Sequence, residues 1–111
     1  MTDKVRSNLE LLQALCKMNA KQRVNFLKHA DSKLIEAICE CILNTLKGHV
    51  ILDSHQKRNL SRHKKLLCML AGRKTSWKRK RTKLVQKGGG VFLPILLSAA
   101  LNTLLSLATN H

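Results

Sequence analysis

The sequence predicts an all-α protein: a small helical bundle, then a basic flexible segment, then an apolar C-terminal helix. Three observations support this prediction. Apolar residues recur at three- and four-residue spacing in the first seventy residues, cations crowd the segment that follows, and residues 91–111 carry no Lys, Arg, Asp or Glu. A chain of 111 residues has room for one small core. The expected organisation is a helical domain at 1–72, a basic linker at 73–90 and the apolar helix at 91–111.

The first two predicted helices begin at capping motifs. Ser7 and Glu10 have the spacing of a capping box and predict a helix over about residues 8–18. Asn19 and Gln22 repeat this arrangement before a second helix that runs through Leu27. The side chains expected on the buried faces are Leu11, Leu12, Leu15 and Met18 in the first helix, and Val24, Phe26 and Leu27 in the second.

The third predicted helix has the clearest periodicity. Asp31 is its expected N-cap, and Gly48 stands just past its end, where a left-handed glycine is favoured. Its expected buried face consists of Leu34, Ile35, Ile38, Cys41, Ile42 and Leu46. A fourth helix is expected from a cap at Ser54 to Gly72, and its core residues are Leu60, Leu67, Leu70 and Ala71.

The cysteines and histidines do not have the spacing of a metal site. Cys39 and Cys41 are two residues apart on a predicted helix, so their side chains point roughly 200° apart and do not chelate one ion together. No secretory signal is recognised at the start of the chain, so we expect a reducing compartment and four small apolar thiols. The few aromatic residues and the lack of an orienting group near any thiol also argue against an enzyme. No catalytic residue, metal or cofactor is predicted.

Positive charge is concentrated between residues 55 and 90. The chain has 21 Lys+Arg against 6 Asp+Glu, a formal net charge of +15. All six acids lie in the first 53 residues, whereas residues 55–90 hold 13 bases and no acid. Self-repulsion should keep residues 73–87 extended or loosely helical until a polyanion neutralises them. Such runs bind phosphates by counterion release, without sequence preference. We expect nucleic acid as the partner in preference to anionic lipid.

The expected nucleic-acid-binding residues include one aromatic side chain. Trp77 is suited to stack on a base or to lie at a lipid interface. The run Lys78–Arg81 also fits a nuclear localisation signal. The full set is Arg73, Lys74, Trp77, Lys78, Arg79, Lys80, Arg81, Lys83 and Lys87, joined by Lys57, Arg58, Arg62, Lys64 and Lys65 on the preceding helix.

The apolar segment that follows the predicted Gly88–Gly90 hinge has three interpretations. A helix over residues 91–108 spans about 27 Å, just below the roughly 30 Å of a bilayer core. It is a tail anchor, a membrane-active helix, or a packing helix inside a larger assembly, and its composition slightly favours membrane contact. Ser98, Asn102 and Ser106 form a polar stripe suited to pairing helices. The residues expected to contact a membrane or to self-associate are Val91, Phe92, Leu93, Pro94, Ile95, Leu96, Leu97, Leu101, Leu104 and Leu105.

Residues 78–97 resemble a known family of viral core proteins. The stretch reads Lys78-Arg79-Lys80-Arg81-Thr82-Lys83-Leu84-Val85-Gln86-Lys87-Gly88-Gly89-Gly90-Val91-Phe92-Leu93-Pro94-Ile95-Leu96-Leu97. Its basic block, three glycines and Phe-Leu-Pro tail resemble the core protein X (mu) precursor of adenoviruses. The stretch is more similar still to the counterparts in adintoviruses and Maverick/Polinton elements. The segment Asn8–Gly72 also looks like the leading region of those element-encoded proteins.

The resemblance implies a virion core protein that helps condense double-stranded DNA through Arg73–Lys87, in the virion core and the host nucleus. Family precursors are cut by a viral cysteine protease at Gly-Gly or Gly-X sites. The matching residues here are Gln86, Lys87, Gly88, Gly89 and Gly90, and Gln86 stands where the family more often has Met, Leu or Ile. Capsid proteins and further copies of the chain are additional expected partners.

Two alternatives from other functional classes remain open at this point. One is a tail-anchored or membrane-active protein at the cytosolic face of a membrane, whose basic segment contacts anionic headgroups. The other is a cellular helical adaptor with a nuclear signal.

Overall fold

The computed structural model describes residues 3–87 and 92–109, and these residues form eight α-helices. The helices are α1 (Asp3–Ser7), α2 (Leu9–Lys17), α3 (Ala20–Lys28), α4 (Ser32–Leu46), α5 (Ser54–Ser61), α6 (Lys64–Ala71), α7 (Trp77–Gln86) and α8 (Phe92–Thr109). No strand occurs among the described residues. The all-α prediction is therefore confirmed.

Helices α4 and α8 pack on each other at the centre of the bundle. Helices α1, α6 and α7 pack against α4, whereas α2 and α5 pack against α8 and α3 packs on α7. Every helix contributes at least one buried apolar side chain to a single cluster, from Val5 of α1 to Leu104 of α8. The described residues measure 38 × 29 × 29 Å.

Two of the predicted helix starts and one predicted helix end are confirmed. Asn19 Oδ1 accepts a hydrogen bond from Gln22 N at 2.8 Å, and Gln22 Oε1 accepts one from Asn19 N at 2.9 Å, which completes the capping box. Asp31 Oδ1 accepts from Leu34 N at 2.9 Å. After α4, Gly48 has φ +81°, the left-handed conformation that glycine adopts without a Cβ clash.

The capping box predicted at Ser7 and Glu10 is wrong. Ser7 is the last residue of α1, and Asn8 occupies the N-cap position of α2 without a side-chain cap. The Asn8 side chain instead donates from Nδ2 to the carbonyl of Lys4 at 2.8 Å. The cause is α1 itself, whose Val5 is fully buried and holds Ser7 in helical backbone. Leu11, expected on the buried face, is 42 % exposed.

The single helix expected from Ser54 to Gly72 is two helices. Its N-cap is Asp53, one residue earlier than predicted, whose Oδ1 accepts from Gln56 N at 2.8 Å. Helix α5 ends at Ser61 and α6 begins at Lys64 because the two halves pack on different partners, α5 on α8 and α6 on α4. The His63 ring, at the break, lies 5.3 Å from the Phe92 ring at the start of α8.

Helix α8 is part of the core of the bundle. Phe92, Leu93, Leu96 and Leu97 are at most 1 % exposed, and Pro94 lies in the first turn as predicted. A helix that is apolar on most of its sides is buried on those sides, either in lipid or in a protein core. In the structure this segment packs within the chain itself, an arrangement that none of the three interpretations described. No helix in the described ranges has the length and hydropathy needed to span a bilayer.

Candidate nucleic-acid interface

Most of the predicted nucleic-acid-binding cations are on the surface. Lys80, Arg81 and Lys83 are half-buried, and so is Trp77. Ten of the thirteen cations in residues 55–87 are exposed: Lys57, Arg58, Arg62, Lys64, Lys65, Arg73, Lys74, Lys78, Arg79 and Lys87. Together with the half-buried Lys83 they form two groups, which we name the α5–α6 patch (Lys57, Arg58, Arg62, Lys64 and Lys65) and the α7 patch (Arg73, Lys74, Lys78, Arg79, Lys83 and Lys87).

The segment expected to be extended or loosely helical contains the regular helix α7. Ser76 is its N-cap, with Oγ accepting from Arg79 N at 3.3 Å. Leu84 is fully buried, and the half-buried Trp77 and Val85 pack against the same core. The full burial of one apolar side chain and the partial burial of two others at one helical face offset part of the repulsion between the cations on the other.

Two cations of α7 bind the carboxyl ends of neighbouring helices. Lys80 Nζ donates to the carbonyl of Gly72, the C-cap of α6, at 2.6 Å. Arg81 Nη1 donates at 3.0 Å to the carbonyl of Ala30, which directly follows the C-cap of α3. A helix carboxyl end carries partial negative charge and unpaired carbonyls, so a cation there is stabilising. Lys80 and Arg81 therefore hold α7 in place and are less free than predicted to bind phosphate.

Trp77 contacts cations of its own helix. The Arg81 guanidinium lies 5.0 Å from the Trp77 ring centroid, and Lys78 Nζ lies 5.9 Å from it, both within cation–π range. A base that stacked on Trp77, as predicted, would compete with Arg81 and Lys78 for the face of the ring. In the structure Trp77 packs against the core at the first turn of α7.

The outward side of α7 carries a row of cations. Arg79, Lys83 and Lys87 are four residues apart and therefore follow one another along the helix surface. Arg73 and Lys80 instead border a groove of about 450 Å³ that also contains Glu36 and Glu40 of α4. Because carboxylates accompany the cations at that groove, the outward row is the better surface for a polyanion.

The α5–α6 patch has the same character. All five of its cations are exposed, and Arg58 and Arg62 are neighbours on the helix surface at four-residue spacing. The nearest acid along the chain, Asp53, accepts from Gln56 N at the start of α5. Both α6 and α7 pack on α4, so the two patches belong to one folded body.

The described residues offer no arrangement suited to metal chemistry or to a reactive thiol pair. No group of three His, Cys, Asp or Glu residues among them is placed to hold a metal ion. Burial raises the pKa of the Cys39 thiol to about 11, against a smaller lowering effect from Lys80. Burial, with a smaller contribution from Glu40, raises the pKa of Cys41 to about 12. Both thiols are therefore protonated at neutral pH.

The remaining predicted site residues lie in three places: some are on the surface, some are in the core, and some are not among the residues that the structure describes. Gln86 and Lys87 of the predicted protease site are exposed, whereas Gly88, Gly89, Gly90 and Val91 lie outside the described residues. Of the residues predicted to contact a membrane or another copy, the buried ones are Phe92, Leu93, Leu96, Leu97, Leu101 and Leu104. Pro94 and Ile95 are half-buried, and Leu105 is 42 % exposed. In the polar stripe, Asn102 and Ser106 are exposed and Ser98 is half-buried.

One structural feature that the sequence did not predict is a set of cations at helix carboxyl ends. Besides Lys80 and Arg81, Arg23 is 6 % exposed and donates from Nη1 to the carbonyl of Met18, the C-cap of α2, at 2.6 Å. Arg23 is a cation in a polar stretch, and no local pattern distinguishes it from a solvated surface residue.

Comparison with known proteins gives no match. No family model matches the chain, and neither a curated protein nor a solved structure is significantly similar to it.

Proposed function

We propose that the protein is a non-enzymatic, sequence-nonspecific DNA-binding and DNA-condensing core protein of a virus or virus-like element. The observation that carries this proposal is the exposure of ten cations on α5, α6, α7 and their turns, in a segment with no carboxylate. Phosphates of a duplex bind such a surface by releasing condensed counterions, and no groove-reading helix is needed.

The presence of two patches supports condensation in addition to binding. A chain that offers phosphates more than one basic surface is able to contact two duplex segments at once. The longest dimension of the described residues is 38 Å, which corresponds to about eleven base pairs at 3.4 Å each. We therefore expect saturation at about one chain per eleven base pairs, followed by light scattering from condensed DNA.

The test is the salt dependence of affinity for a short duplex of arbitrary sequence. If about six phosphates are neutralised, log K should fall against log salt with a slope of roughly −5. The α7 variant removes four exposed cations that hold no other element in place: Lys74→Gln, Lys78→Gln, Arg79→Gln and Lys87→Gln. It should flatten the slope by up to about three to four. Lys80 and Arg81 are kept because they bind backbone carbonyls.

A matched control removes the same charge from exposed positions on α2, α3 and α4: Lys17→Gln, Lys21→Gln, Lys28→Gln and Lys33→Gln. Its salt slope should stay close to that of the unmodified chain. An affinity that does not depend on salt would refute the proposal, and so would equal slopes for the α7 variant and the control variant.

The viral part of the proposal is supported by the resemblance of residues 78–97 and has its own test. A capsid protein, packaging ATPase or protein-primed polymerase encoded beside this reading frame would support it. A neighbourhood of ordinary cellular genes would instead favour a cellular DNA-binding protein with the same surface.

A further inference from the structure

A groove of about 350 Å³ lies between the end of α4, the loop before α5, and helices α5 and α6. Most of its lining is apolar, and the rest includes two exposed lysines. The apolar part of the lining consists of Leu46, Leu52, Leu60 and Leu67, and the two lysines are Lys57 and Lys64. Leu46 is 39 % exposed although it ends a helix with a buried apolar face, so part of the groove surface is in contact with water. The groove has the mixed character of a peptide-binding surface.

The loop beside this groove holds an isoleucine in solvent. Ile51, next to Leu52, is 77 % exposed, the most exposed large apolar side chain among the described residues. Its backbone N–H donates to Thr103 Oγ1 at 3.1 Å, and the buried Thr103 hydroxyl in turn donates to the carbonyl of Ala99 at 2.9 Å. The loop is thus tied to the central helix α8. Ile51 and Leu46, two of the exposed large apolar side chains among the described residues, thus lie next to and in this groove. Exposed apolar side chains that lie together mark an interaction surface, whereas single ones do not.

The positive charge around the groove indicates that a binding partner carries negative charge. None of its lining residues is acidic, and the nearby Asp53 serves as the N-cap of α5. We propose that this groove docks an acidic amphipathic helix, with apolar side chains on the leucines and carboxylates on Lys57 and Lys64. A nucleic acid satisfies the lysines but leaves the exposed Leu46 and the half-buried Leu52 in contact with water. Lys57 and Lys64 also belong to the α5–α6 patch of the proposed DNA-binding surface. The α7 patch takes no part in the groove, so variants of the α7 patch separate the two functions in the experiment.

The experiment measures binding of a labelled peptide to the full chain by fluorescence anisotropy. The probe peptide carries Leu at i, i+3 and i+7 with Glu between, and the comparison peptide has Ala in place of every Leu. The charge variant is Lys57→Gln with Lys64→Gln, and the apolar variants are Leu46→Gln and, separately, Ile51→Ser. The control variant, Lys17→Gln with Lys33→Gln, removes equal charge elsewhere on the surface.

We expect the charge variant and the Leu46→Gln variant each to weaken binding about tenfold, a change equivalent to about 1.4 kcal/mol, and the control to change it less than about twofold. The α7 variant defined above should lose DNA affinity and keep the peptide. Equal affinity for the Leu and Ala peptides would overturn the inference, because charge alone would then explain binding. The inference would also be overturned if vesicles of anionic phospholipid bound through these residues and the peptide did not. Circular dichroism verifies that each variant is folded. If Leu46→Gln unfolds, Ile51→Ser replaces it, because the Ile51 side chain is 77 % exposed and its loss should not disturb the core.

Discussion

Helix α8 should be required for the rest of the chain to fold. Six of its large apolar side chains are at most 8 % exposed: Phe92, Leu93, Leu96, Leu97, Leu101 and Leu104. Burying each contributes about 1.5–3 kcal/mol, so together they contribute roughly 9–18 kcal/mol as an upper bound. The net stability of a domain is about 5–15 kcal/mol. Truncation after Gly90 removes this contribution and exposes the facing side of α4, so the shortened chain should lose cooperative unfolding.

Point variants of α8 test the same reasoning without truncation. Leu97→Ala, at a side chain with no exposure, should cost about 2–5 kcal/mol of unfolding free energy. Leu105→Ala makes the same chemical change in the same helix at a side chain 42 % exposed, and should cost less than about 1 kcal/mol. The assay is urea denaturation followed by far-UV circular dichroism. Equal costs for the two variants would refute the packing of α8, and so would a truncated chain that unfolds cooperatively with undiminished helix content.

Three further predictions concern the backbone, α7 and the thiols. Gly48→Ala should lower the unfolding free energy by about 1 kcal/mol, because φ at Gly48 is +81°. Gly72→Ala should lower it by less than about 0.5 kcal/mol, because φ at Gly72 is −73°. Equal losses for the two variants in urea denaturation would contradict this prediction. Arg81→Gln should cost about 1 kcal/mol through its lost bond to Ala30, and Arg79→Gln close to nothing; a costlier Arg79→Gln would refute the anchoring role. A thiol reagent should modify the exposed Cys68 first, and Cys39 and Cys41 only in denaturant. Folding raises the pKa values of the Cys39 and Cys41 thiols from 9.0 to about 11 and about 12, so the unfolded chain loses these protons at lower pH than the folded chain. The free energy of unfolding should therefore fall as the pH rises above 9. An unfolding free energy that does not change with pH in this range would contradict the prediction.

Local sequence determined the features that depend on residues three or four positions apart. The capping box of Asn19 and Gln22, the Asp31 cap and the left-handed Gly48 were all predictable, because each interaction closes within one turn of helix. The Ser7 cap failed where a buried residue, Val5, held the preceding backbone in a helix. The candidate interface was predictable to the same extent: the lack of acids after Asp53 identifies the basic segment, but not which of its cations face solvent.

Tertiary structure decided the positions of α7 and α8. Lys80 and Arg81 cannot be told from their neighbours in a basic run until the ends of α6 and α3 lie beside them. Transfer of the apolar run 92–104 out of water is favourable both into lipid and into a protein core, so its hydropathy does not choose between them. That choice depends on whether α2, α4 and α5 present apolar faces of matching shape, and these faces come from residues far away in the chain. The sequence alone thus specifies which side chains must leave water, and the packing of distant helices specifies where they go.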